Sequence, residues 1–228
     1  MNHKILNKLE QIIHTSPQLL RNPKNLTHAI KAVFDVTIND VSYTTIGELV
    51  DRIDDKVLGN YFRNHWQSVT SKYKYSGPLL IDEVNALKPR KVLDIGCGYH
   101  EFKGKINNLV GIDPYNPNGD IEVKLLDYHP QERYDATLAL GSINFGSTDK
   151  IFAELEHAVS LCNPGAVMFF RANPGLPHTE APTESAWISF YPWDSNFIIN
   201  CADQLGVDIL DIRTDNQKNR LYFVWRTK

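Results

Sequence analysis

The chain has 228 residues, 42% of them hydrophobic, and a formal net charge of −3. That length suits one full α/β domain with a smaller appendage. The near-neutral charge leaves no footprint for a polyanion, so nucleic acid is not indicated, and the basic set Arg63, Lys72, Lys74, Lys88, Arg90 and Lys91 reads as solvated side chains.

Residues 3–14 place Ile5, Leu6, Leu9, Ile12 and Ile13 on one side of a helix. Ser16-Pro17 and Asn22-Pro23 break the chain, and Leu26 to Phe34 can form a second short helix. Thr44 or Thr45 can cap a third, running from Ile46 to Leu58, with Glu48 completing a capping box. Tyr61 to Tyr75 is aromatic and basic. Ser76-Gly77-Pro78 opens a helix through Leu87, and Lys88-Pro89 stops it. Residues 1–75 therefore read as a helical N-terminal appendage, and residues 76–228 as the α/β domain.

Val92 to Ile95 is an apolar run that carries Asp94 near its end. Gly96-Cys97-Gly98 follows at once. This is the pattern of a buried parallel strand opening into a glycine loop, where the backbone can approach a ligand closely. Leu109 to Ile112 is a second apolar run, closed by Asp113. An acidic residue about 20 positions after the first strand is the expected ribose partner in a nucleotide-binding α/β fold. Further strands are expected at Ile121 to Leu125, Tyr134 to Leu140, Ala166 to Phe170, Val207 to Ile212 and Leu221 to Trp225. Helices are expected at Asp149 to Leu161 and Ser195 to Leu205, the latter ending at Gly206.

Val92-Leu93-Asp94-Ile95-Gly96-Cys97-Gly98 and Val110-Gly111-Ile112-Asp113 resemble the first two motifs of the class I S-adenosylmethionine-dependent methyltransferases. The resemblance covers roughly residues 88–228. It implies a Rossmann-like sheet, mostly parallel with a C-terminal antiparallel hairpin, and S-adenosylmethionine as the cofactor. It also implies a lid or acceptor-side role for the appendage of residues 1–75. A carboxylate beside the loop suits a cationic sulfonium and would repel a pyrophosphate. By motif position, the resemblance assigns the methionine part to Asp94, Gly96, Cys97 and Gly98, with Gly141 and Ser142 beside it. It assigns the ribose to Asp113, a border of the adenine to Pro114 and Tyr115, and the adenine amino group to Asp127, with Tyr128 nearby. Acceptor-side candidates are Tyr73, Tyr75 and Arg171, the last suited to an anionic acceptor. No catalytic dyad is evident. Asn144 and His178 are the catalytic candidates, each with a plainer reading as a helix cap and a solvated loop histidine, and His100 is a similar case. Trp187, Phe190, Tyr191 and Trp193 wall an acceptor pocket or pack the core. The methyl acceptor is not specified.

Two departures from the family pattern stand out. Gly98-Tyr99-His100 lacks the third glycine, so the following helix is expected to be short and differently seated. The stretch from Asp113 to Ile121 has no room for a crossover helix. A compact parallel arrangement with extended connections is expected, and a hairpin turn at Pro117 to Asp120 is the alternative. These departures keep open a methyltransferase-like domain that binds without catalysis; an aminopropyltransferase ranks behind it. The three cysteines, Cys97, Cys162 and Cys201, have no metal or disulfide spacing. No metal, no membrane span and a cytoplasmic location are the expectations.

Overall fold

The computed structural model describes residues 1–39, 45–67, 73–174, 187–188, 190–214 and 220–228. It divides into two compact units: the described residues of 1–66 and 178–189, and those of 67–177 and 190–228. Among the described residues no helix is long and apolar enough to cross a membrane.

The first unit is helical. α1 (His3–Thr15), α2 (Pro23–Phe34) and α3 (Ile46–Asn60) turn Ile5, Leu9, Leu26, Ile30, Leu49 and Ile53 inward. Asn2 begins α1 by accepting from the Lys4 and Ile5 amides, at 3.0 and 3.3 Å. Its own amide donates to Asp54 and to the Trp187 carbonyl. Thr45 caps α3, accepting from the Glu48 amide at 3.1 Å. A π-turn, Tyr61–His65, follows, and Tyr61, Phe62 and Trp66 pack edge to face along it. Trp187 packs edge-on against Phe34.

The second unit is built on a six-stranded sheet in the order β2-β1-β3-β4-β6-β5. Its strands are β1 (Val92–Ile95), β2 (Leu109–Ile112), β3 (Tyr134–Leu140), β4 (Cys162–Ala172), β5 (Asp208–Thr214) and β6 (Leu221–Arg226). β1 to β4 pair in parallel, and the hairpin β5–β6 closes the sheet antiparallel to β4. The helices are α4 (Pro78–Ala86), α5 (Thr148–Ser160) and α6 (Ser195–Leu205). One face of the sheet packs Phe170, Phe223, Trp225 and Trp193 with α5 and α6 residues. Phe170 and Phe223 stack at 4.4 Å. The other face packs Val92, Leu138 and Phe169 against Leu80 and Val84 of α4.

Three elements differ from the sequence expectation. No helix follows the glycine loop. Gly96, Gly98, His100, Gly104 and Asn108 all take positive φ, which interrupts any right-handed helix. A chain of turns runs there instead, and it still buries Phe102 and Ile106. Secondly, no strand spans Ile121 to Leu125. The third strand is reduced to one parallel bridge, Ile112 to Ile121. The Gly111 carbonyl accepts from both Asp120 and Ile121 amides, and the Asp120 carboxylate takes the Gly111 amide at 3.0 Å. These bonds end the ladder at its first step, and a 3-10 turn, Leu125–Asp127, follows. Thirdly, β4 starts at Cys162 rather than Ala166, with a register shift that absorbs Asn163 to Gly165. Thr227 secures the shift, bonding the Ala166 amide and the Asn163 carbonyl.

Candidate functional site

The parallel strands end together on one edge, and the sequence-nominated residues of β1, β2 and β3 meet there. The Gly96 and Cys97 amides both donate to the Ile112 carbonyl, at 2.8 and 3.1 Å, which fastens the glycine loop to the tip of β2. Asp113 then clamps the loop. Its Oδ2 accepts from the Gly98 amide at 2.9 Å, and its Oδ1 accepts from the Tyr115 and Asn116 amides at 2.8 Å each. Pro114 and Tyr115 lie half-buried within this turn. Asp113 is 7% exposed and Asp94 3% exposed.

The two carboxylates differ in one decisive respect. Among the described residues, no donor reaches the Asp94 carboxylate and no cation lies within ion-pair distance of it. Burial, then the neighbouring Asp113 charge, push its carboxyl up to about 7, against a weaker opposing pull from Arg171. A buried carboxylate without a partner is costly and is the kind of group a bound cation relieves.

Gly96 makes close packing possible. A Cβ there would stand 2.3 Å from the Ser142 Cβ, and its φ is +68°. Gly96→Ala is therefore expected to lower stability by about 2 kcal/mol or more. An unchanged denaturant midpoint would contradict this close approach. Gly111 is as confined, since a Cβ would meet His100 Nε2 at 2.6 Å and Cys97 Sγ at 2.8 Å. Burial and the nearby carboxylates push the Cys97 thiol up, so it stays protonated. Burial pulls the His100 imidazole down, and its Nε2 faces Asp120 at 3.7 Å. His100 and Asp120 thus line the β2 side of the loop, a placement without a local signal beyond the missing third glycine.

Other nominated residues are placed elsewhere. The Asn144 side chain is engaged with backbone, donating to the Gly141 carbonyl and accepting from the Asn173 amide at 3.2 Å. Tyr128 turns inward: its hydroxyl meets Tyr134 at 2.5 Å, at the opposite, N-terminal end of β3. The sequence placed it near the adenine, but its ring follows the apolar core, where Tyr134 satisfies its hydroxyl. Asp127 is exposed in the preceding turn. Phe190 packs on Phe145, while Tyr191 and Trp193 pack on Phe197. His178 lies outside the described residues.

At the C-terminal end of β4, Arg171 donates from Nη1 to Ser76 Oγ at 3.0 Å and from Nη2 to the Leu140 carbonyl at 2.5 Å. Its guanidinium lies over the Tyr73 ring at 4.3 Å. Burial lowers its pKa from the usual arginine value. Tyr75 lies beside Tyr222, under Arg213. Ser76 and Arg220 join this cluster from positions that carry no motif.

No protein-family model matches the chain, and no curated protein matches it in sequence. Solved structures do match in fold. The 1,6-didemethyltoxoflavin-N1-methyltransferase of Burkholderia thailandensis, with bound S-adenosylhomocysteine, superposes with a TM-score of 0.61 at 12% identity, covering 85% of this chain and 95% of that one. The magnesium protoporphyrin IX methyltransferase of Synechocystis PCC 6803 gives 0.55 at 13% identity, covering 77% and 100%. The CcbJ methyltransferase of Streptomyces caelestis gives 0.53 at 15% identity, covering 72% and 100%. The chain has the fold of the class I S-adenosylmethionine-dependent methyltransferases, with the third strand cut to a bridge and the first crossover helix replaced by turns.

Proposed function

We propose that this chain is an S-adenosylmethionine-dependent methyltransferase. One observation carries the reading: Asp94, buried and unpartnered at the glycine loop, is a receptor for a cation. The cofactor, when bound, supplies an activated methyl group on a positively charged sulfur. The chain's part is to bind and orient. Asp94 offers the counter-charge, Gly96 and Gly98 let the backbone approach, and Asp113 faces the ribose. The imidazole–carboxylate pair beside the loop is His100 with Asp120, at 3.7 Å, and methyl transfer from a sulfonium relies chiefly on alignment and exclusion of water. The net charge of −3 argues for an acceptor other than nucleic acid, and three free cysteines fit a reduced, cytoplasmic compartment.

The test is calorimetric titration with S-adenosylmethionine and S-adenosylhomocysteine across pH. With Asp94 at about 7, its ionised fraction rises about tenfold between pH 6 and 8, so affinity for the cationic donor should rise by about the same factor. S-adenosylhomocysteine, which keeps the ammonium but has a neutral sulfur, should change less. Absence of binding by both ligands at every pH would remove the proposal.

A second reading, a domain of this fold that binds without turnover, is favoured by the Asp113 carboxylate, which already accepts three backbone amides. That reading requires tight binding of the homocysteine product together with no methylated product from any acceptor.

A further inference from the structure

Two arginines near one end of the sheet invite comparison. Arg213 lies over Tyr75 at 4.4 Å, and its charge is met by Asp211 at 2.8 Å and Glu83 at 3.7 Å. That is an arginine whose charge is balanced by carboxylates of the fold. Arg171 lies over Tyr73 in the same manner, at 4.3 Å, yet its hydrogen bonds go only to a hydroxyl and a carbonyl, both uncharged. No carboxylate stands within ion-pair distance of it among the described residues. A guanidinium has five N–H donors, and two of these are engaged, so most of a flat, rigid fork remains for a ligand. A second cation shares the ring: Arg220 Nη2 donates to the Tyr73 hydroxyl at 3.1 Å.

Resting on the methyltransferase reading, we propose that Arg171, held by Ser76 and stacked on Tyr73, is the anchor for an oxyanion of the methyl acceptor, a carboxylate or a phosphate. The donor and acceptor are then sorted by charge across one strand end. Asp94 at the tip of β1 takes the cation, and Arg171 at the end of β4 takes the anion. An aromatic acid or aryl phosphate gains further from the Tyr73 face.

The probes are benzoate and phenyl phosphate, titrated against potassium chloride at matched ionic strength. The readouts are calorimetry and the Arg171 Nε–H resonance. Each anion is expected to bind and to move that resonance. Arg171→Gln should weaken binding by about tenfold or more, which is the worth of a charge-assisted bond. Arg171→Lys keeps the charge and loses the fork, and should weaken it by a smaller factor; it serves if the glutamine variant does not fold. The same titration is repeated with S-adenosylhomocysteine saturating, because the donor carries a carboxylate of its own. Anion binding that persists supports an acceptor site. Anion binding abolished by the homocysteine ligand assigns Arg171 to the donor and overturns the proposal. So does an unmoved Arg171 resonance, or undiminished binding in both variants. Failure of S-adenosylhomocysteine itself to bind the wild-type chain would count against the methyltransferase reading, independently of the anion result.

Discussion

Asp94→Asn is expected to make the protein more stable and a poorer binder of the cationic donor. The Asp94 carboxyl rises from 3.8 to about 7 in the fold. That is roughly three pKa units, and the charged form therefore costs the native state about 4 kcal/mol. The sign follows from which state holds the proton. Below pH 4 both states hold it and there is no penalty. From about pH 4 to 7 only the folded state does, so stability falls as pH rises; above pH 7 the full penalty applies. Asparagine has nearly the same shape and no charge, though it leaves an amide without a partner. The net gain is expected at about 2 kcal/mol at pH 8, turning into a loss of about the same size toward pH 4, where the charge penalty is gone and the orphaned amide remains. In the same variant, affinity for S-adenosylmethionine should fall by about tenfold or more, with little change for S-adenosylhomocysteine. Denaturant unfolding at the two pH values and paired titrations check both halves. A variant less stable than the parent at pH 8 would show that Asp94 has a partner in the native state. Equal losses for both ligands would show that the sulfur charge is not what Asp94 meets.

The site is partly legible in the sequence. Asp94 and Asp113 close short apolar runs beside glycines, and each feature is local. Buried parallel strands need continuous apolar stretches, so β1 and β2 are visible, and the register that sets Asp94 beside Gly111 follows from their pairing. Ser195 to Leu205 was equally legible, because Asp194 caps its start and Gly206 ends it in the left-handed region. The turns after Gly98 were harder to foresee. His100 and Asn108 adopt positive φ although neither is glycine, and the His100 ring lies close against Gly111, a tertiary feature with no local signal. The Arg171 cluster was least legible. Ser76, Tyr73 and Arg220 are far from Arg171 in sequence, and only the folded sheet brings them together. Tyr128 shows the converse: its neighbour Asp127 fits a motif, yet the core claims its ring.

Asp113 supports the loop and, on the proposed reading, faces the donor, and two substitutions separate these roles. Asp113→Ala removes the acceptor for the Gly98, Tyr115 and Asn116 amides together. Orphaned buried amides make this costly, and a loss of about 3 kcal/mol is expected along with loss of donor binding. Asp113→Asn is the sharper test. Its carbonyl oxygen can keep the turn to Tyr115 and Asn116, as asparagine does in Asx-turns. Its amide nitrogen, however, would face the Gly98 N–H, donor against donor. The expected result is a smaller stability loss, about 1–2 kcal/mol, with S-adenosylhomocysteine affinity still reduced by about tenfold or more. An asparagine variant that binds this ligand like the parent would detach Asp113 from the ribose. The count of acceptor sites sharpens the point further. A carboxylate accepts about four hydrogen bonds, and three positions are already taken. One ribose hydroxyl fits directly, and a second requires the Gly98 amide to yield its place. Ligand binding should therefore shift the Gly98 amide resonance more than those of Tyr115 and Asn116, because only the Gly98 bond joins Asp113 to the loop across β1 and β2.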